Sequence, residues 1–256
     1  MSMNVIAILP ARMGSSRFPG KPLAKIHGVP MIGHCFYRTN MCPDLMGTYV
    51  ATCDQEIMDY VHFIGGKAVM TANTHERATD RTAEAMLKIE AELGKKVDVV
   101  VMVQGDEPMV MPEMISDAIA GMADDQTQVV NMMAEIETVE EFEDPNEVKV
   151  VVDNNNNALY FSREPIPSLK KGAGKVRMLK QVCIIPFRRD YLLKFNAMPE
   201  TELERAESVD MMRILEHGEK VKMIMSNHDS FSVDTQADLD RVEDLMRDDT
   251  LMSQYT

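Results

Sequence analysis

Residues 5–23 read VIAILPARMGSSRFPGKPL, and this stretch decides the fold. The apolar, β-branched run at its start predicts a short buried strand. The loop that follows carries two glycines, two serines and the three cations Arg12, Arg17 and Lys21. In α/β proteins such a loop lies at the carboxyl edge of a parallel sheet, where ligands bind. A nucleoside triphosphate is therefore the expected ligand of this loop, although the whole chain has a net charge of −14.

Two familiar phosphate-binding loops do not match this stretch. The dinucleotide fingerprint G-x-G-x-x-G is absent from it. A P-loop has four residues between its glycines and Ser or Thr after its Lys, whereas five residues separate Gly14 from Gly20 and Pro22 follows Lys21. A solvated loop is the ordinary interpretation of any one of these residues. Three cations directly after a buried strand nevertheless favour an anion site.

Outward from this loop, strand-like and helix-like segments alternate through the first half of the chain. The alternation predicts a Rossmann-like α/β fold, with a mostly parallel sheet and helices on both faces. After about residue 125 the pattern becomes richer in strands. We expect a single domain over 1–256 that carries an inserted β-rich lobe at about 128–195. Three later segments predict a helix at Ala83–Leu93, a strand at Val182–Phe187 and a helix at Glu202–Glu216.

Two carboxylates stand at strand or helix ends where a metal would be useful. Asp106 follows the apolar run 97–103 in the string Gln-Gly-Asp-Glu-Pro, and Asp234 lies just before an acidic helix. A hard divalent cation prefers carboxylate oxygen and can bridge to phosphates. The simpler interpretation is that Asp106 is a turn residue and Asp234 a helix N-cap.

Taken together, these motifs resemble those of the 3-deoxy-manno-octulosonate (Kdo) cytidylyltransferases. The resemblance covers the chain from Val5 to about Val242, and it implies a Mg²⁺-dependent transfer of CMP from CTP to an acidic sugar, with release of pyrophosphate. It also implies a homodimer in the cytoplasm. The matching segments are Pro10-Ala11-Arg12, Ser15-Ser16-Arg17, Pro19–Leu23, Gly28–Ile32, Gln104–Pro108, Thr79-Asp80-Arg81, Tyr160–Arg163 and Val233-Asp234-Thr235.

The resemblance also implies roles for individual residues. Asp106 and Asp234 become the metal ligands, and together with Lys21 they form the catalytic set. Arg12 and Lys21 would hold the terminal phosphates of CTP. The other expected nucleotide contacts are Leu9, Ala11, Ser15 and Arg81. The expected acceptor contacts are Gln104, Arg163, Gln181, Glu207 and Arg213, of which Arg163 would take the acceptor carboxylate.

The chain departs from the family pattern around the acceptor. Arg77-Ala78 stand where the family usually has Ser-Gly, Gln181 replaces a His, and Ile185 replaces a Tyr. A site that loses hydrogen-bonding groups recognises its ligand differently. The acceptor could therefore be another acid, such as 8-amino-Kdo, another ulosonic acid or a phosphonate. A non-catalytic nucleotide- or sugar-binding protein of the same fold is the second alternative.

Bulk composition excludes several other classes. At 256 residues, 45% hydrophobic and 27% charged, the chain is an ordinary globular protein. The charge of −14 argues against a nucleic-acid groove or an anionic membrane surface as partner. The four cysteines form no C-x-x-C pair and no zinc spacing. We find no signal peptide or apolar run of membrane length, so a cytoplasmic location is expected.

Overall fold

The computed structural model describes residues 3–14, 18–170 and 176–256, which form two five-stranded sheets with helices around them. The strands are β1 (Val5–Ala11), β2 (Lys25–Ile26), β3 (Val29–Pro30), β4 (Gly47–Thr52), β5 (Lys67–Met70), β6 (Val99–Val103), β7 (Val130–Glu135), β8 (Lys149–Val152), β9 (Ala158–Ser162), β10 (Leu179–Val182), β11 (Ile184–Arg188) and β12 (Lys222–Met225). The α-helices are α1 (Met31–Asn40), α2 (Gln55–Phe63), α3 (Ala78–Leu93), α4 (Pro112–Ala120), α5 (Val139–Glu143), α6 (Arg189–Ala197), α7 (Glu202–Glu207), α8 (Met211–Glu216) and α9 (Gln236–Leu245).

The first sheet has the strand order β11-β6-β1-β4-β5, and β1 is its centre. β1 pairs in parallel with both β4 and β6, and its residues from Val5 to Leu9 are buried on both faces. A strand covered on both faces needs a continuous apolar run, which is what the sequence supplies. The predicted mostly parallel sheet is confirmed, and its one antiparallel strand is β11 at the edge.

The second sheet has the order β12-β7-β10-β8-β9. It does not coincide with the lobe expected at 128–195, because β12 supplies a strand from Lys222–Met225 and β11 belongs to the first sheet. The single strand expected at Val182–Phe187 is likewise divided at Cys183 between β10 and β11. Cys183 thus marks the place where the chain crosses from one sheet to the other.

Two helices differ from the expected boundaries. The helix expected at Ala83–Leu93 begins five residues earlier, at Ala78. The helix expected at Glu202–Glu216 is two helices, α7 and α8, because Ser208 adopts a left-handed φ of 53° and ends the first. The break turns residues 208–211 towards the cavity described below.

None of the helices in residues 3–14, 18–170 and 176–256 has the length and hydropathy that crossing a bilayer requires.

A buried polar cluster holds residues 249–255 against α1. Arg38 has no exposed surface; its guanidinium pairs with Asp249 and donates to the Tyr255 hydroxyl at 3.0 Å. His34, also fully buried, contacts that hydroxyl through Nδ1 at 2.8 Å and the Ile26 carbonyl through Nε2 at 2.9 Å. The cluster ties residues 249–255 to the helix that follows the Lys21 loop.

We expect Arg38→Ala to lower the free energy of unfolding by about 3 kcal/mol, because it leaves a largely buried carboxylate at Asp249 without its cation. Urea unfolding monitored by circular dichroism measures this change. Arg247→Ala is the matched control: its pair with Asp244 is 69% and 74% exposed, and it should change stability by less than about 0.5 kcal/mol. Equal effects of the two substitutions would contradict the assignment.

The same cluster predicts a pH dependence. Burial lowers the pKa of His34, as do the nearby Arg38 and His27, while the Ile26 carbonyl and Asp249 oppose this. Because the folded state resists the proton, the unfolded chain takes it up first as the pH falls below about 6.5. Stability should therefore be kept above that pH and decline below it. His34→Gln should decline less between pH 7.5 and 5.5 in urea titrations; parallel curves for the two proteins would refute this.

Candidate active site

Two neighbouring cavities open at the carboxyl edge of the first sheet. The loop cavity, about 320 Å³, lies against the loop after β1 and is lined by Arg12, Lys21 and Arg81 among others. The inter-sheet cavity, about 390 Å³, lies between the two sheets and includes Arg163 and Gln181 in its wall. Both are lined by Glu76, Arg77, Ala78, Gln104 and Asp106.

Asp106 and Asp234, which are far apart in the sequence, meet at one atom. The Lys21 ammonium Nζ lies 2.8 Å from Asp106 Oδ2 and 3.1 Å from Asp234 Oδ1, and it donates to the Val233 carbonyl at 2.9 Å. The Val233 N–H donates to the Asp106 carbonyl at 2.9 Å. This backbone bond joins the two loops and brings the acids side by side.

The backbone around Lys21 and Asp106 explains how the loops come so close. Gly20 has a left-handed φ of 76° and its N–H donates to the Met13 carbonyl at 3.1 Å, which closes the loop just before Lys21. At Gly105 a Cβ would lie 3.3 Å from the Pro10 carbonyl oxygen, so glycine permits the β6 loop to approach β1. Both positions favour glycine for a backbone reason.

The charges of this triad are mutually dependent. Burial by itself lowers the pKa of Lys21, but Asp106 and Asp234 more than offset that effect, and the net pKa is raised. The ammonium therefore stays protonated between its two partners. Lys21 and Asp106 line the loop cavity, whereas Asp106 and Asp234 line the inter-sheet cavity, so Asp106 is accessible from both.

Two carboxylates that converge on one point fit a magnesium ion. Mg²⁺ in phosphate-transfer sites is held by one or two carboxylates, with the remaining positions taken by water and substrate phosphates. Within residues 3–14, 18–170 and 176–256, no group of three or more acidic, His or Cys side chains suited to a metal forms. Asp106 and Asp234 alone would supply two carboxylate ligands, which fits a metal whose remaining ligands are water and substrate phosphates.

A buried carboxylate that the sequence interpretation missed supports this arrangement. Glu107 is 5% exposed and accepts hydrogen bonds from the Cys183 N–H at 2.9 Å and the Ser230 hydroxyl at 2.6 Å. Burial raises its pKa. Glu107 thus links the β6 loop, the crossing between the sheets and the segment before Asp234. Its place directly after Asp106 was the only sequence signal for it.

The residues expected to hold the nucleotide are distributed unevenly. Ala11, Arg12 and Arg81 line the loop cavity, whereas the Leu9 side chain is fully buried in the core behind it. Arg81 is anchored by the Thr71 hydroxyl and the Ala72 carbonyl, so it also fixes the cavity wall. Ser15 lies outside the described residues.

Of the residues expected to hold the acceptor, Gln104, Gln181 and Arg163 line the inter-sheet cavity. The Arg163 guanidinium donates to backbone carbonyls, at 2.7 Å to Glu207 and 2.9 Å to Pro145. These bonds fix its direction without neutralising its charge. Gln181 Nε2 donates to the Asn131 side-chain oxygen at 2.5 Å.

Glu207 and Arg213 affect the inter-sheet cavity indirectly, through the residues that they contact. The Glu207 carboxylate accepts from the Arg163 N–H at 2.8 Å and from the hydroxyls of Ser162 and Tyr160. Arg213 is buried and forms a two-pronged pair with Glu204 at 2.6 and 2.7 Å. Glu207 thus orients Arg163, and Arg213 joins the helices α7 and α8.

The first sheet is mostly parallel, and a cationic loop follows its first strand. Two acids lie at the same edge, next to a second cavity. This combination is that of a nucleotidyltransferase. A profile of the cytidylyltransferase family matches residues 6–221. The chain belongs to this family, among its 3-deoxy-manno-octulosonate cytidylyltransferases.

Relatives of that name share about two fifths of the sequence. The protein of Geobacter metallireducens is 41% identical over 251 residues, which cover 94% of this chain and 96% of the relative. The Escherichia coli protein is 41% identical over 246 residues, covering 96% and 97%.

Solved structures agree with this placement. A CMP:2-keto-3-deoxy-manno-octonic acid synthetase in complex with CTP superposes with a TM-score of 0.86 at 40% identity, over 95% of this chain and 98% of the other. The fold alone extends further: a 4-diphosphocytidyl-2C-methyl-D-erythritol synthase from Anaerococcus prevotii has a TM-score of 0.63 at 12% identity, covering 96% and 100%.

Proposed function

We propose that this protein transfers CMP from CTP to Kdo with the help of Mg²⁺. The observation that carries the proposal is the convergence of Asp106 and Asp234 on Lys21, next to two cavities that meet. A binding protein needs no such pair of acids at the junction. Relatives with about 40% identity over nearly the whole chain bear the name of this activity.

The chemistry follows from the placement of charge. The acceptor hydroxyl oxygen forms a bond to the α-phosphorus of CTP while the bond from that phosphorus to the bridging oxygen breaks. Pyrophosphate leaves, and the hydroxyl proton passes to water. Arg12 and Lys21 would bind the leaving phosphates, and a metal held by Asp106 and Asp234 would neutralise phosphate charge. Such transfers depend mainly on positioning and charge neutralisation.

The acceptor would occupy the inter-sheet cavity with its carboxylate at Arg163. The guanidinium is held by carbonyls in the part of the chain that the structure describes, so it offers its positive charge to a ligand in a fixed direction. A planar guanidinium and a carboxylate can then form a two-pronged pair. Gln104, on the rim between the cavities, would contact the hydroxyls near the reacting one.

We expect Arg163→Lys to raise the KM for the acceptor by about 10- to 100-fold, because a point charge replaces a two-pronged contact. The KM for CTP should stay within about threefold. Steady-state rates of pyrophosphate release at varied acceptor measure both. Arg177→Lys, at a 55% exposed side chain on the surface, is the control. A rise in the KM for CTP alone would assign Arg163 to the nucleotide instead.

A different acid remains a second candidate, and the wall of the inter-sheet cavity favours testing it. Gln181 and Ile185 line that cavity, where the family pattern has His and Tyr. The decisive experiment incubates the purified protein with CTP, Mg²⁺ and one of Kdo, 8-amino-Kdo, another ulosonic acid or a phosphonate, while pyrophosphate is followed. Turnover of Kdo at the highest kcat/KM supports the proposal. A clear preference for another acid would replace Kdo as the acceptor.

We also propose that the protein is a cytoplasmic homodimer that pairs through its second sheet. Leu159 on β9 is 60% exposed, and Leu169 and Val176 are 47% and 38% exposed nearby in sequence. A contiguous patch of exposed apolar side chains commonly marks an interface, and the proposed dimer requires these three side chains to contribute to such a patch. Light scattering after gel filtration should give twice the chain mass of 28.9 kDa. A monomer at micromolar concentration would refute the dimer.

A further inference from the structure

The two cavities meet at a small group of residues, and the group transfer must happen there. This inference rests on the proposed function: with CTP in the loop cavity and the acceptor in the inter-sheet cavity, the attacking oxygen and the α-phosphorus must approach to about 3–3.5 Å. Side chains that line both cavities therefore surround the reacting atoms. Among the described residues of that group, Glu76 and Asp106 are acidic, and the positive charge is that of Arg77.

Arg77 is held in place by carboxylates, but loosely. Its guanidinium nitrogens lie 3.3 Å from Asp210, 3.5 Å from Glu200 and 3.8 Å from Glu204. Direct N–H···O hydrogen bonds are usually 2.7–3.2 Å long, so these are ion pairs at longer range. By contrast, Arg213 binds Glu204 at 2.6 and 2.7 Å. The N–H groups of Arg77 thus keep the capacity to bind a ligand.

The backbone directs Arg77 to the junction. It occupies the N-cap position of α3, with extended φ and ψ of −97° and 145°, and its side chain is 22% exposed. Asp210 faces it from the break between α7 and α8, where the Thr79 hydroxyl also donates to Asp210 at 3.0 Å. The break that ends α7 therefore places the Asp210 carboxylate beside the guanidinium of Arg77, a residue that lines both cavities.

We propose that Arg77 is a catalytic residue that donates hydrogen bonds to a non-bridging oxygen of the α-phosphate during transfer. As the acceptor oxygen–phosphorus bond forms and the bond to pyrophosphate breaks, negative charge is spread over the non-bridging oxygens. A guanidinium at that point stabilises this charge more than it stabilises bound CTP. The acceptor is itself an anion, so the same charge offsets the repulsion between the two substrates.

The alternative is that Arg77 only balances the charge of Asp210, which lines the inter-sheet cavity. Removal of Arg77 would then leave a carboxylate that repels anionic substrates. A double substitution separates the two roles: Arg77→Gln with Asp210→Asn removes both charges. If charge balance is the whole role, the double variant regains the rate; if Arg77 contacts the phosphate, the double variant stays slow.

The experiment compares wild type, Arg77→Gln, Arg77→Lys and the double variant by pyrophosphate release at saturating CTP, Mg²⁺ and the acceptor that wild type turns over best. We expect Arg77→Gln to lower kcat about 100-fold, as loss of one transition-state donor does, with the Kd of CTP within about threefold by calorimetry. Arg77→Lys should recover part of the rate, and the double variant should not exceed Arg77→Gln. Arg205→Gln, an exposed neighbour on α7, should match wild type.

Three results would overturn the proposal. The first is a kcat of Arg77→Gln within threefold of wild type, even if its melting temperature falls, since that is a structural role. The second is recovery of the rate in the double variant. The third is a rise in the KM for the acceptor at unchanged kcat. In each case wild-type turnover would leave the proposed function intact; only a wild type inert with every acid would remove that function.

Discussion

Asp106→Asn should lower kcat for CMP transfer by at least about 1,000-fold, because neutralising phosphate charge through a metal is worth several kcal/mol. The substitution keeps the shape of the side chain, and Lys21 keeps its second partner, Asp234. The loss should therefore appear as chemistry and not as unfolding. Initial rates of pyrophosphate release at saturating substrates and Mg²⁺ measure it, with a thermal melt to confirm the fold.

A second readout tests the metal directly. Mn²⁺ can replace Mg²⁺ as a spectroscopic probe, and its binding in the presence of CTP should weaken at least about tenfold in Asp106→Asn, since one of the two proposed protein ligands loses its charge. Asp234→Asn should behave alike. Asp125→Asn, at a side chain that is 97% exposed, is the control. An unchanged rate of product formation in Asp106→Asn would show that the transfer does not depend on the Asp106 carboxylate, and the proposed metal site would fail.

Local sequence predicted the parts of the fold that depend on neighbours in the chain. The run from Val5 to Leu9 is apolar and β-branched, and it became the central buried strand. The helix expected at Ala83–Leu93 is present within α3 and ends at the expected residue, since periodicity and punctuation are local signals. The meeting of Asp106 and Asp234 is different in kind: it depends on a backbone bond between residues 106 and 233, and only the family resemblance pointed to it.

The failures have physical reasons too. The run Val182–Phe187 is apolar throughout, Cys183 included, and both Val182 and the residues after Cys183 are buried, so hydrophobicity could not reveal the change of sheet. The break at Ser208 leaves the helical spacing of apolar residues intact. A serine also gives no sequence signal for the left-handed φ that Ser208 adopts. A residue type also does not reveal its partner: an N-cap carboxylate commonly accepts from the first turn of its own helix, but that of Asp54, at the N-cap of α2, accepts from the Met13 N–H at 2.8 Å.

Lys21→Met should produce the second large effect. It should strengthen the binding of Mg²⁺ and weaken the use of CTP. Without the ammonium, Asp106 and Asp234 lose the positive charge that both contact, and their like charges repel each other more strongly. In metal-free buffer the melting temperature of the variant should therefore be lower than that of wild type. Added Mg²⁺ should raise the melting temperature of the variant by more than it raises that of wild type, because a ligand that binds only the folded state stabilises it by mass action. Thermal melts across a Mg²⁺ titration measure this.

Catalysis should nevertheless suffer in the same variant, because Lys21 has to exchange its partners during the reaction. In the ligand-free arrangement it neutralises the two carboxylates; a metal held by Asp106 and Asp234 would leave the ammonium available to the triphosphate. Loss of a phosphate-binding cation should lower kcat/KM for CTP by about 100-fold or more. Lys25→Met, an exposed lysine on β2, is the control and should match wild type. Lys21→Met could instead keep its kcat/KM for CTP while binding Mg²⁺ more tightly. In that case the ammonium would only neutralise the two carboxylates in the absence of a metal, and the triphosphate would have to be bound by Arg12 and the loop backbone.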